Sequence, residues 1–139
     1  MMTVNQVLDY NSMIKAIIDN AKDVDAKTRF KFLGMVNQFK PIVDNFETIR
    51  QEKIAEYGTT NKDGQTGIFE PVRDDFETDS DFVDAQKKYD ETIAKFANEL
   101  QEVLDSEVDV NIAKFKADDI MDSGLNSDYL LALYDLIEE

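Results

Sequence analysis

Cysteine and histidine are both absent from this 139-residue chain. Without Cys there is no disulfide, no thiolate nucleophile and no zinc–thiolate site. Without His the commonest general base and the commonest transition-metal ligand are missing. Any catalysis would have to rest on carboxylates, Lys, Tyr or Ser. No apolar run approaches the roughly 18 residues that span a bilayer. No basic stretch leads into an apolar one near the start, so no secretory signal is expected. The lack of Cys is compatible with the cytosol and with many secreted proteins alike.

What the chain does have is apolar mass and acid. Apolar residues make up 42%, including nine Phe and five Tyr, enough to build a core despite the high charge. A single domain over residues 1–139 is the expectation. Net charge is −15. Residues 1–69 hold 9 acids and 9 bases, whereas residues 70–139 hold 21 acids and 6 bases, so the whole imbalance lies in the second half. Direct contact with nucleic acid needs Lys and Arg against phosphate, and is not expected. An anionic membrane surface would repel the chain. A basic protein surface, divalent cations or solubility alone remain as uses of the charge.

The pattern along the chain is mainly helical. Residues 2–5 read as a short extended segment. Val7, Tyr10, Ile14, Ile17, Ile18 and Ala21 recur at steps of three and four and predict a helix over 6–21. Asp25 is a good cap for a second helix. Its stripe of Phe32, Val36, Phe39, Val43 and Phe46 stays in phase across Pro41. That favours one long, kinked helix ending at Gly58 over a break at Lys40. Asp63-Gly64 is a hairpin-turn signal between strand-like stretches at 59–62 and 66–69. An acidic linker follows at 70–81. Thr78 or Ser80 then caps a helix over 80–105, where Phe82, Tyr89, Ile93, Phe96, Leu100 and Val103 keep a heptad rhythm with Gln86 as a polar gap. The period drops to two at Val108, Val110 and Ile112, which predicts a half-buried strand over 107–113. A helical turn at 117–122 stops at Gly124. Asn126 or Ser127 caps a last helix reaching about 138, with Leu130, Leu133, Tyr134 and Ile137 on its buried face.

The fold class expected from this order is α+β and predominantly helical. A long antiparallel helical hairpin carries a β-hairpin at its tip, and residues 2–5 pair with 107–113 in a small sheet. Phe32, Phe39, Phe46, Tyr89, Phe96 and Leu100 are expected to fill the seam between the two long helices. Arg50 and Gln86 interrupt their seams; either each reaches solvent or the two set the register by a polar contact.

Several clusters invite a functional reading and are weighed against a plainer one. The tip places Asn61, Asp63, Gly64 and Glu70 where a calcium-binding EF-hand has its third, fifth, sixth and twelfth positions. Thr59 stands where the first acidic ligand belongs, and Pro71 opposes the exiting helix, so a plain hairpin is expected. Asp118, Asp119 and Asp122 could work with Glu107 or Asp109 as paired carboxylates, but Asp at the start of a short helix is ordinary capping. Asp79, Asp81 and Asp84 lie at a helix start, with Asp74 and Asp75 before them, where negative charge is favourable anyway. No catalytic residue, cofactor or metal site is expected. The expected partner-binding face is acidic: Asp74, Asp75, Glu77, Asp79, Asp81, Asp84, Asp90 and Glu91, set against a basic protein surface.

The stretches VLDYNSMIKAI, RQEKIAEYG, NKDGQTG, ELQEVLDSEVDVNIAKF and LLALYDLIEE follow one another in an order that resembles a group of small uncharacterised bacteriophage proteins. The resemblance extends over nearly the whole chain and rests on structural motifs, with no catalytic residues to carry over. It implies a phage or prophage origin and a place in the host cytoplasm or the virion. Two functions fit: a non-catalytic accessory protein, such as an inhibitor of a host nucleic-acid-binding or defence protein, and a neck, tail or scaffold-associated component. A carboxylate-based metal enzyme is the third, weaker fit. Partner identity and oligomeric state stay open. Titration calorimetry of the chain with calcium at neutral pH should show no micromolar site; a one-to-one isotherm abolished by Asp63→Ala would reinstate the EF-hand.

Overall fold

The computed structural model describes residues 2–138 except Asn111 and Ala113. Element order is β1 (Met2–Thr3), α1 (Val4–Asn20), α2 (Ala26–Tyr57), β2 (Thr59–Thr60), β3 (Thr66–Gly67), a 3-10 turn (Arg73–Asp75), α3 (Asp79–Leu104), β4 (Glu107–Val108), β5 (Phe115–Lys116), α4 (Ala117–Met121), α5 (Ser127–Ala132), a second 3-10 turn (Tyr134–Leu136) and β6 (Ile137–Glu138). The expected class is what is seen: a predominantly helical α+β chain with small two-stranded sheets. Among the described residues no helix is long and apolar enough to cross a membrane. The chain divides into two compact units. Unit 1 is Met1–Asp44 with Ser106–Glu139, and unit 2 is Asn45–Asp105.

Unit 1 opens with a capping box. Thr3 Oγ1 accepts from the Gln6 backbone at 3.2 Å, and Gln6 Oε1 accepts from the Thr3 backbone at 2.9 Å. These bonds satisfy donors that a helix start leaves open, so α1 begins at Val4 and not at residue 6. They also cut the expected 2–5 strand to two residues. Those two pair antiparallel with β4, Met2 opposite Val108 and Thr3 opposite Glu107. The predicted pairing is therefore present but shorter. It ends where the Val110 N–H turns back to the Val108 carbonyl at 3.1 Å. The Asn111 and Ala113 positions of the expected strand lie outside the described residues. Val110 is buried, and Val108 and Ile112 pack against the core, so the two-residue alternation does point its apolar members inward.

The core of unit 1 gathers Val7, Ile14 and Ile17 from α1 with Phe32, Met35 and Phe39 from α2. Phe115, Ile120, Leu133 and Leu136 close it from the C-terminal segment. Asp25 Oδ1 caps α2 through the Thr28 N–H at 2.7 Å, and the Asp25 N–H donates to the Ser123 carbonyl at 2.9 Å. The Phe32 and Phe115 rings meet at 5.1 Å between centroids, tilted by 59°. Gly124 has φ +94°, and a Cβ there would strike the Asp23 carbonyl oxygen, so Gly is needed both for the turn and for the close approach.

The expected last helix stops at Ala132. A regular helix would have placed Leu133 and Ile137 on one face. The tighter 3-10 turn that follows brings Leu133 and Leu136, three apart, into the core, at 0% and 3% exposure. Tyr134, expected to be buried, is left outside. The chain then runs as β6, parallel to β5, with Phe115 opposite Ile137.

Unit 2 contains the helical hairpin. Helix α2 runs through Pro41, which belongs to unit 1, without a break, as its unbroken phase predicts, and enters unit 2 at Asn45. Gly58 ends it, its N–H bonded to the Ile54 carbonyl at 2.7 Å. Here Gly answers a close approach: a Cβ would strike the Ile54 and Gly67 carbonyls. The tip hairpin pairs Thr59 with Gly67 and Thr60 with Thr66. Its turn is organised by Asn61, whose Oδ1 accepts from the Asp63 and Gln65 backbones at 3.0 and 2.9 Å. Thr78 caps α3 by accepting from the Asp81 N–H at 3.1 Å.

The expected seam needs correction. Lys53 meets Glu99 at 3.3 Å. An antiparallel pair in that register places Thr48 opposite Leu104, the last residue of α3. Phe39 and Phe32 lie beyond that end and belong to the unit 1 core instead. Phe46, Tyr89, Phe96 and Leu100 are only half-buried. Nor do Arg50 and Gln86 set the register: Arg50 binds Glu47 and Gln86 binds Asp90, each on its own helix. Replacing fully buried Phe32 by Ala should cost about 3–5 kcal/mol of stability. The same change at half-buried Phe96 should cost about 1–2 kcal/mol. Equal losses in urea melts would contradict this division between a dry core and a half-open seam.

Candidate functional site

The acidic residues singled out in the sequence separate into two settings within unit 2. Asp74 and Asp75 lie on the first 3-10 turn, Glu77 in the bend after it, and Asp79, Asp81 and Asp84 in the first two turns of α3; all six are exposed. The chain is shaped there by Arg73, whose guanidinium bonds Asp79 Oδ1 at 2.6 and 2.8 Å and the Phe76 carbonyl at 2.7 Å. Phe76 tilts against Phe82 at 5.9 Å. Arg73 and this ring pair tie the linker to the start of α3, so the six acids follow one another along a single fastened stretch of unit 2. The helix dipole favours those on the first turn.

Asp90 and Glu91 stand further along α3, in a different electrostatic setting. Asp84 precedes Lys88 by four residues, Lys87 precedes Glu91 by four, and Glu91 precedes Lys95 by four. Such positions are neighbours on a helix surface, so charge there alternates in sign. Asp90 accepts from Gln86 at 3.1 Å. Asp90 and Glu91 thus sit among cations, unlike the acids of 74–81.

Other charges of unit 2 serve the hairpin itself. Hydrogen bonding to Arg50, then to Gln51, holds the Glu47 carboxyl down at about 2. The Glu99 carboxylate, by hydrogen bonding, raises the Tyr57 hydroxyl above its ordinary value, and burial adds to the shift. Glu56 first and Glu99 second raise Lys53. Lys53, Tyr57 and Glu99 thus form the polar contact that crosses the seam.

The remaining sequence candidates stay apart. Asp118 and Asp119 occupy the first turn of α4, and Asp119 faces Lys27 at 4.0 Å across open solvent. Neither caps the helix, whose N-cap is Lys116 with no side-chain bond; they sit where the helix dipole favours acid, and the ion pair carries little energetic weight. At the tip the Asn61 side-chain oxygen is already taken by two backbone donors. Among the described residues no three acidic side chains converge as metal ligands would.

Unit 1 holds a feature that the periodicity did not reveal. Helices α4 and α5, the second 3-10 turn and β6 enclose an apolar groove of about 790 Å³. Its walls include Met121, Leu130, Leu131, Tyr134 and Ile137, with Lys114, Asp135 and Glu138 at its margin. Met121, Leu131 and Tyr134 are 66%, 73% and 64% exposed, although all three are large and apolar. Asp135, though exposed, bears electrostatically on α1. After burial, its charge is the second cause raising the half-buried Tyr10 hydroxyl. A signal was present in the sequence: Leu130, Leu131, Leu133, Tyr134, Leu136 and Ile137 are too many apolar residues for one helix face.

The Glu47 shift has a definite sign. A carboxyl held below its ordinary 4.5 contributes stability above that value and loses it as pH falls toward 2. The pair is exposed, so the effect on melting is small. A carbon-detected NMR titration should find the Glu47 midpoint near 2, and Arg50→Ala should return it toward 4.5; an ordinary midpoint in the unmodified chain would rule the bond out. No family model matches the chain, and no curated protein or solved structure matches it either.

Proposed function

We propose that this chain is a phage or prophage accessory protein that works by non-catalytic protein binding, with the acidic end of unit 2 meeting a basic surface on its partner. The phage origin rests on the sequence resemblance. The binding face rests on one observation: five Asp and one Glu lie exposed between residues 74 and 84, and Arg73 beside them is already held by Asp79. Along α3 the acids of this end give way to positions that alternate in sign.

Such a concentrated field speeds encounter with a basic protein and selects against acidic ones, with little need for a deep pocket. A host nucleic-acid-binding or defence protein offers that kind of basic surface, and its capture would take place in the host cytoplasm. The absence of Cys and His removes the commonest nucleophile and general base, which supports a reading in terms of binding. The neck, tail or scaffold-associated role makes a different demand: the chain would then be a stoichiometric part of purified virions.

The test uses a partner captured from infected cells and purified. Its association rate with the chain should fall steeply as salt rises. Asp74→Lys, Asp81→Lys and Asp84→Lys together should slow association and flatten that dependence; Asp79 is spared because it holds Arg73. An unchanged rate and salt slope in the triple variant would remove the acidic end as the binding face. Recovery of the chain from washed virions would replace the accessory role with an assembly role.

A further inference from the structure

We infer that the groove of unit 1 is a docking site for an amphipathic helix of a partner protein, with large apolar side chains on the inserted face and Lys or Arg along its flanks. The acidic end of unit 2 plays no part in this inference, which stands or falls separately.

The apolar requirement comes from the walls. Met121, Leu131 and Tyr134 are each more than 60% exposed, yet they share one concavity with half-buried Leu130 and Ile137. Scattered apolar residues on a surface need no explanation, but three large ones converging on one groove mark a binding surface. A volume near 790 Å³ takes several large side chains, and falls within the range of about 300–1,000 Å³ usual for ligand clefts.

The charge of the occupant comes from the rim. From residue 117 to residue 138 the chain carries Asp118, Asp119, Asp122, Asp128, Asp135 and Glu138, with no Lys or Arg. Asp135 and Glu138 line the groove, with Lys114 as their one cationic neighbour among its lining residues. A second copy of this chain, at net charge −15, would bring acid against acid. A segment with basic flanks gains at the rim what it buries at the centre.

The helical form of the occupant follows from the backbone around the groove. Docking as an added strand needs a sheet edge of useful length, and β6 has two residues, Ile137–Glu138. The walls are instead short helices and a 3-10 turn, whose side chains leave hollows between them. Anchors at positions i, i+3 or i+4, and i+7 of an inserted helix suit such hollows.

The probe is a synthetic amphipathic helix of Leu and Lys, about four turns long. It is titrated into the full chain and followed by backbone NMR shifts. Saturable shifts should concentrate at Met121, Leu131, Tyr134 and Ile137, and binding should weaken as salt rises. Met121→Ser with Leu131→Ser should lower affinity about tenfold or more. Both positions are exposed, so the variant should melt with the unmodified chain. Asp135→Lys with Glu138→Lys should weaken binding separately, whereas the Asp74, Asp81 and Asp84 variant should leave it unchanged. The inference is overturned by the absence of saturable shifts at the groove, or by equal affinity for a Leu and Glu helix. Shifts confined to residues 74–84 would overturn it while leaving the acidic end intact as a binding face. A dimer in sedimentation that Leu131→Ser dissolves would overturn it in favour of a second copy as the occupant.

Discussion

Phe32 against Phe115 is the contact on which the C-terminal part of the protein depends. Phe32 is buried within α2, and its ring lies 5.1 Å from that of Phe115. The neighbouring Lys31 reinforces the clamp: its ammonium stands 4.4 Å from the Phe115 ring and donates to the Lys114 carbonyl at 2.8 Å. These contacts hold β5 on α2. The parallel pairing of β6 with β5, and the burial of Leu133 and Leu136, follow from a chain already held there. The groove is a consequence of the same constraint. Residues 117–138 must return to β5 within a short span, and the tight turn that achieves this leaves Tyr134 outward, beside exposed Leu131 of α5.

The two units are stabilised in different ways. Unit 1 has side chains fully removed from water on both α1 and α2, joined by β5, α4 and the C-terminal turn. Among the described residues of unit 2 no side chain reaches that degree of burial. Its seam is half-open, and part of its order comes from caps, the Arg73 clasp and the Lys53–Tyr57–Glu99 contact. Segments with few buried apolar contacts open at a lower free energy than a dry core. The acidic end therefore lies on the more easily deformed unit, and the groove beside the more rigid core.

Local signals were legible wherever a residue acts on its own neighbours. The caps at Asp25, Thr78 and Asn126, the stop at Gly124 and the turn around Asp63-Gly64 all depend on bonds spanning a few residues. So does the continuity of α2 across Pro41. The inward alternation of Val108, Val110 and Ile112 was legible for the same reason. Part of the candidate site was legible too: the acids of 74–84 are exposed, as an unpatterned charge run suggests. Their fastening to the start of α3 was not, because it depends on Arg73 bonding Asp79. The groove was legible only as an excess of apolar residues at 130–137, because local pattern does not say which of them stay exposed.

By itself the sequence determined the three long helices, the caps at Asp25, Thr78 and Asn126 and the imbalance of charge, since each is set by periodicity, short-range hydrogen bonding or composition. Tertiary structure alone decided which core each aromatic joins. A stripe such as Phe32, Phe39 and Phe46 specifies a face of α2 but not the surface opposite it. The Lys53–Glu99 register ends α3 before Phe39, so the stripe is shared between two units. Tertiary structure also decided that the last helix yields to a 3-10 turn and a parallel strand. Burying Leu133 and Leu136 together against α1 and α2 requires partners more than 80 residues away in sequence, which no local pattern can express.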